Sequence, residues 1–357
     1  MSRFEKPLVH SLNIDGEERF SSAVDQAYYN FFEGGSERTP ELRKNRNRKM
    51  SLANMDEFEK VYPKEKIKKD QQKVKDLRLS SSEDFVSKES DIFEFLMSDS
   101  KIKLIENLSF QPTEEYDDRM NHTDAWTILK TLDSNGKASF PKIAFDFTTA
   151  VEEDVLDKKI EKIAGEISLG KLTNLKYVKR NVTKNGQIEE TFGLERVPRV
   201  IINCSKTEVE KLCEIVNALA KKEDTNFFSE GKYSFQVGFL EESLAQLQKQ
   251  AKCLEQGSGT KMIILENIQS DIKKNNPKMN PKELSTKAQV FFNLMNTNLN
   301  SAIKALKEKL EELQKNKKNS PSQTKSHLLP KINPLNPNYE SIISARNQGG
   351  IRVWRAA

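Results

Sequence analysis

Two aspartates, Asp124 and Asp146, carry the chemistry this sequence offers most directly. Asp124 opens a stretch rich in β-formers, 125–132 (AWTILKTL), and Asp146 sits late in an alternating one, 142–149 (KIAFDFTT), with the turn signal DSNGK at 133–137 between them. A turn centred on 134–136 sets Asp124 and Asp146 opposite each other or one step diagonal, and directly opposed residues have Cβ atoms roughly 4.5–5.5 Å apart. Two carboxylates that close repel. A divalent cation between them reverses the sign of that interaction, because Mg²⁺ takes oxygen ligands and commonly uses one or two carboxylates. Such an ion generates a hydroxide nucleophile and neutralises charge on a phosphate in flight. Two aspartates on the solvent face of a hairpin also need no ion at all, and Thr148 and Thr149 follow from β-propensity and helix capping. Spacing alone leaves both readings open.

The elements that must position this pair can be read from periodicity. In the second strand Ile143, Phe145 and Phe147 face one side, and Ala144, Asp146 and Thr148 the other. A short amphipathic helix with the stripe Phe85, Ile92, Phe93, Leu96 and Met97 precedes the hairpin. After it, Thr149 and Glu152 make a capping box for a helix whose apolar face is Val155, Leu156, Ile160 and Ile163. Strands are expected at 172–179 and 199–204, with an exposed loop around Asn185 and Gly186 between them. Ser205 and Glu208 cap a helix carrying Val209, Leu212, Val216 and Leu219, and a last strand at 233–239 leads into a helix ending near Leu254. Strands alternating with helices imply a sheet covered by helices.

An Asp at the start of one strand, a short hairpin, an acid-x-residue pair on the next strand, then a helix and further strands: this order resembles the PD-(D/E)XK nuclease superfamily. TDAW (123–126) and FDFTT (145–149) carry the likeness, which covers roughly residues 85–240. It implies a mixed α/β sheet flanked by helices, a restriction-endonuclease-like core, with Asp124 and Asp146 as ligands of Mg²⁺ or Mn²⁺. In that superfamily a Lys two positions after the second acid orients or activates the attacking water, and here that position is Thr148, which has no positive charge. Some members take the Lys from the following helix, where Lys158, Lys159 and Lys162 are available; Lys158 and Lys162, four apart, share a face. A third acid from the preceding helix is also common in such sites, and Glu94 is the best placed. His122, two residues before Asp124, reads as a surface residue.

The flanks differ from this middle. Charged residues make up 31% of the 357 and apolar residues 36%, which describes one modest core and long segments that bury little; nineteen Phe against fourteen Gly place a real core somewhere. The expected division is a charged, partly disordered or helical N-terminal arm (1–80), an α/β nuclease-like domain (81–256), a helical arm (257–318) and a disordered tail (319–357). Within the first arm, Tyr28, Tyr29, Phe31 and Phe32 cluster as a docking peptide or small cap. Arg43, Lys44, Arg46, Arg48 and Lys49 form a basic run suited to phosphate contacts, and a Lys-rich solvated helix over 56–78 is divided by Pro63. Asn280, Pro281 and Glu283 start an amphipathic helix running to about Gln314, whose near-heptad stripe packs on a helix of this chain, of a second copy or of another protein.

Several classes are excluded. Three cysteines at wide spacing give neither a disulfide framework nor a zinc pattern. GSGT (257–260) lacks the Lys and the length of a P-loop. With three His and no Ser/His/Asp or Cys/His arrangement, hydrolysis through a protein nucleophile is not expected. The net charge of +5 gives no global pull toward nucleic acid or membrane. No stretch approaches the ~20 apolar residues of a membrane span, and MSRFEKPLVHSLNIDGEE lacks a signal peptide's apolar run, so a cytoplasmic protein is expected, or one exported by a route without such a signature. Two functional expectations follow: a metal-dependent, nuclease-like hydrolase of phosphodiesters in DNA or RNA, or a non-catalytic interaction protein, a relic of that fold or a bacterial effector, binding a partner through its helical arms.

Overall fold

The hairpin forms as its residues require. In a computed structural model, which describes residues 23–28, 52–80, 92–94, 96–97, 105, 108, 110–132, 136, 138–149, 153–184, 187–220, 226–255, 258–318, 339 and 342–343, β2 (Ala125–Ile128) pairs antiparallel with β5 (Lys142–Thr148). The pair is extended by the small ladder of β3 (Thr131–Leu132) and β4 (Ala138–Ser139). On the outer side of β2 lies β1 (Gln111–Pro112), and on the other side of β5 lies β8 (Arg199–Asn203), parallel to it. The four-stranded sheet thus has the order β1-β2-β5-β8 and mixed directions. A parallel neighbour needs a crossover, and α4 (Glu153–Ser168) begins it.

The alternation in β5 decides which face is which. Ile143, Phe145 and Phe147 lie in the main core, where Phe145 and Phe147 meet Phe110, and Phe93 packs edge-on against Phe147 at 5.5 Å. Ile160, Ile163, Ala164 and Ile167, spaced i, i+3, i+4 and i+7, give α4 its buried stripe in the same core. Ala144 faces the other way and joins Trp126, Leu175, Val178, Leu194 and Val197 in a second cluster. α4 ends in a Schellman turn: Gly170, at φ +66°, donates to Ile167 O at 2.9 Å and Lys171 to Glu166 O at 2.9 Å. A Cβ on Gly170 would also run into Ile268 of α7 (Ser258–Asn275), so glycine is required twice over.

Between α4 and β8 the structure departs from expectation. The strand expected at 172–179 is one arm of a long hairpin, β6 (Thr173–Lys184) and β7 (Gln187–Val197), which form their own two-stranded sheet. Asn185-Gly186, the two residues between the arms in sequence, is a strong two-residue hairpin signal, although the exposed loop expected there lies outside the described residues; Glu189, Glu190 and Glu195 disguise the second arm. The base of the hairpin is covered on both sides: Leu175 and Leu194 meet the main sheet, while Tyr177 and Phe192 meet Met55, Phe58 and Ile67. The last three residues come from a 3-10 helix (Leu52–Lys60) and α2 (Lys64–Ser80). The expected Lys-rich helix after Pro63 is therefore present, but one face of it is buried. Asp70 of α2, 4% exposed, pairs with Lys176 and accepts from Tyr177 Oη at 2.9 Å, and the Tyr62, Tyr116 and Tyr177 rings surround the same ammonium at 4.9, 5.3 and 5.0 Å.

The expected strand 233–239 is instead part of α6 (Asn226–Glu255). Alternation of Tyr233, Phe235, Val237 and Phe239 suggested a strand, but Phe235, Gln236, Phe239 and Leu240 are buried while Tyr233 and Val237 are only partly so, a helical period that continues through Leu247 and Leu254. The capping box of α5 (Lys206–Ala220) is as expected: Ser205 N–H reaches Glu208 Oε2 at 2.7 Å and Glu208 N–H reaches Ser205 Oγ at 3.4 Å. α8 (Pro281–Lys318) starts where Asn280 Oδ1 accepts from Glu283 N–H at 2.9 Å, and its stripe from Ala288 to Leu306 packs inside this chain with α6 and α7. Two residues of the expected disordered tail, Tyr339 and Ile343, are buried in the main core, as are Val24 and Ala27 of α1 (Ala23–Tyr28). Ile342 packs partly buried against the same core, while Glu152, Tyr29, Phe31, Phe32 and the other tail residues lie outside the described residues.

β8 ends the sheet, and its outer edge is covered by side chains of α6. Gln246 Nε2 donates to Ile201 O at 2.7 Å while its Oε1 accepts from Ile201 N–H at 3.0 Å, so one amide replaces a strand neighbour; one turn on, Gln250 Nε2 donates to Arg199 O at 2.8 Å. Gln246→Leu keeps the bulk but leaves a buried N–H and C=O unpaired, and urea denaturation should show a loss of about 2 kcal/mol or more. A loss below a few tenths would mean that the amide does not protect this edge.

Candidate active site

β2 and β5 pair so that partner numbers sum to a constant: Ala125 faces Phe145 and Trp126 faces Ala144. The pairing runs as far as Ala125 and Phe145, so Asp124, one residue before Ala125, and Asp146, one residue after Phe145, flank its last registered pair. Asp124 N–H donates to Phe145 O at 2.9 Å, and Asp124 Oδ2 accepts from Phe147 N–H at 2.6 Å, so the first carboxylate is pinned to the backbone flanking the second. Asp146 is 3% exposed. Its Oδ1 accepts from Lys159 Nζ at 2.5 Å.

Lys159, on α4, is thus the lysine that meets the acids. Burial works against its charge, but Asp146, then Asp124, with Asp118 further off, outweigh it and raise the ammonium's pKa. Lys158, the neighbour expected to do this, is exposed, because adjacent helical positions diverge by about 100°. Lys162 lies on the same side of α4 as Lys159 but donates to Met120 O at 2.9 Å. Its pKa is pushed down to about 8, by burial first and then by Arg199, against Glu166 and Asp146. Sequence reading missed Arg199: 2% exposed, it reaches across from β8 to Asn121 O and to Glu166 Oε1 at 3.3 Å. Its sequence signal was a lone Arg opening an otherwise apolar strand.

The segment delivering Asp124 is built by α3 (Glu115–Asn121), a helix that periodicity did not reveal. Asp117, 0% exposed, ties it to the hairpin by accepting from Lys176 N–H and Tyr177 N–H, both at 2.8 Å. Burial raises this carboxyl to about 6, although those hydrogen bonds pull the other way. Arg78 and Arg119 both bind Glu115 of the same helix.

Among the described residues no group of three or more His, Cys, Asp or Glu is placed to hold a metal ion, so Glu94 does not complete a three-acid set with Asp124 and Asp146. Its helical neighbour Phe93 packs on Phe147, which points to the opposite face of the sheet. The basic run Arg43, Lys44, Arg46, Arg48 and Lys49 lies outside the described residues. No described helix is long and apolar enough to cross a membrane. No protein-family model, no curated protein and no solved structure matches the chain.

His122 closes the cluster at φ 48°, exposed as expected yet set among cations. The protein packed around the ring, then Lys162, with Arg199 and Lys159 behind, lowers its pKa to about 4 against the opposing effect of Asp146. Partial exposure tempers the first effect, so the cations confirm the direction. Since the folded value lies below the ordinary 6.5, the folded state resists protonation, and this group's contribution to stability is complete above pH 6.5 and is lost as pH falls toward 4. NMR titration should place the His122 midpoint below 6.5; a midpoint at 6.5 would remove the cations from its neighbourhood.

Proposed function

We propose that this chain is a divalent-metal-dependent, nuclease-like protein that hydrolyses phosphodiesters in DNA or RNA, built on a restriction-endonuclease-like core. The observation that supports it is the Asp124, Asp146 and Lys159 constellation: two acids flanking the last registered pair of β2 and β5, the first bonded to Phe147 N–H beside the second, with an ammonium 2.5 Å from Asp146. The sheet order and the helix after β5 agree with the strand–hairpin–strand–helix order of the PD-(D/E)XK resemblance.

The donor set suits Mg²⁺ or Mn²⁺. Such ions are held by one or two carboxylates and fill the remaining positions with water and substrate phosphate, so no third acid is needed. When bound by Asp124 and Asp146, the ion supplies Lewis-acid stabilisation of charge building on a phosphoryl oxygen. The chain does the rest. Asp124, anchored by Phe147 N–H, keeps its carboxylate aimed along the strand pair. Lys159 supplies from α4 the positive charge that Thr148 cannot, and it stands where an attacking water can be oriented against the phosphate. Until substrate arrives the same ammonium neutralises Asp146, which keeps a buried carboxylate tolerable.

That neutralisation also supports a second reading. A pair of acids that carries its own counter-ion is complete without metal, as in a relic of the fold used for binding a protein partner, with the helix 281–314 and the exposed Val290 and Leu294 on α8 as contact surface. Calorimetry separates the two: no Mg²⁺ or Mn²⁺ binding, with a stable partner recovered in pull-downs, favours the relic.

With DNA or RNA and Mg²⁺, the protein should cleave the backbone, and EDTA or Asp146→Ala should each abolish cleavage. Cleavage that survives Asp146→Ala removes the reading. Lys159→Met should lower the rate by roughly 100-fold or more and, by stranding the Asp146 charge, lower stability by about 3 kcal/mol in a denaturant titration. Full activity in that variant would show that Lys159 is only a structural counter-ion.

A further inference from the structure

Two of the cations around the site are not directed at its carboxylates. They bind the end of the helix that precedes Asp124. The last carbonyls of any helix lack intrahelical partners, and α3 is only seven residues long. Lys162 Nζ, from α4, donates to Met120 O at 2.9 Å, and Arg199 Nη1, from β8, donates to Asn121 O. Cations at a helix carboxyl end are favoured by the aligned peptide dipoles. Arg199 is itself held from both sides: Nη2 lies 3.3 Å from Glu166 Oε1, and its own carbonyl accepts from Gln250 Nε2 at 2.8 Å. A guanidinium 2% exposed is costly to bury, and its place beneath this turn is what it secures.

The turn needs securing. His122 is in the left-handed region at φ 48°, a conformation of order 1–3 kcal/mol that persists only where the surroundings over-determine it. Beyond it, Thr113 Oγ1 donates to Thr123 O, and Thr113 N–H donates to Asp124 O at 2.9 Å. From Met120 to Asp124, every residue but His122 has its carbonyl held by another element or side chain, and the two cations hold the first two.

We propose that Lys162 and Arg199 are positioning residues: a two-cation clamp on the carboxyl end of α3 that sets the His122 turn and so places Asp124 against Asp146. Lys162 acts on the backbone and leaves Lys159 as the lysine that meets the acids. The functional half of this inference rests on the metal-site reading; the clamp itself does not.

The test uses the full chain and its Lys162→Met and Lys162→Arg variants, followed by hydrogen–deuterium exchange, thermal melting and Mn²⁺ titration. Lys162→Met should speed amide exchange at residues 122–124 roughly tenfold, the size expected for losing a partly buried cation at a helix C-terminus, while amides of β5 and α8 keep their protection. Mn²⁺ affinity should fall roughly 10–100-fold, as when an outer partner of a ligand is removed, and Lys162→Arg should restore both. Unchanged exchange at 122–124 in Lys162→Met overturns the clamp whatever the metal does. Faster exchange with unchanged Mn²⁺ affinity overturns its positioning role. If the wild-type chain binds no Mn²⁺ yet the turn loosens in Lys162→Met, the clamp stands and the metal-site reading fails.

Discussion

A carboxylate that is 3% exposed must be neutralised, and the neighbourhood of Asp146 is organised around that requirement. The β5 alternation turns Asp146 away from the Phe145 and Phe147 core, but the β6–β7 hairpin packs on that face as well, so the carboxylate stays buried there. Lys159 supplies the opposite charge from α4. Everything else near the site adjusts to that pair: Lys162 and Arg199 turn to the carboxyl end of α3, Glu166 balances Arg199, and His122 is left neutral among cations.

The same economy of charge runs through the layer that holds α3 in place. Asp117 is buried against the hairpin backbone and Asp70 against Lys176, so two acids tie three elements together. Buried pairs of this kind are weak sources of net stability but punish misplacement, since removing one partner strands the other. They therefore fix how α2, α3 and β6 sit relative to one another, and through α3 they fix where Asp124 begins its strand. Hydrophobic burial, in contrast, is concentrated on the far side, where α4, α6, α7 and α8 share one core with Phe145 and Phe147.

The hairpin with its two aspartates could be read in advance because its signals are local: β-formers, a turn and strict alternation. The starts of α5 and α8 were legible for the same reason, since Ser205, Glu208 and Asn280 act within one helical turn. β7 was missed because its glutamates lie on a hairpin whose cover comes from distant residues such as Phe58. The stretch 233–239 was misread because both periods fit seven residues, and only the burial pattern over thirty chose the helix.

Residue types and short spacings alone determined that β2 and β5 would pair with an acid beside each, and that a helix bearing lysines would follow. Which lysine meets Asp146 was a tertiary decision: Lys158, Lys159 and Lys162 are equivalent in sequence, and only the rotation of α4 about its axis, set by packing Ile160, Ile163 and Ile167 into the core, turns Lys159 toward the acids. Arg199 likewise gains its meaning only when the crossover lays β8 beside β5, because a contact spanning 78 residues leaves no trace in local pattern.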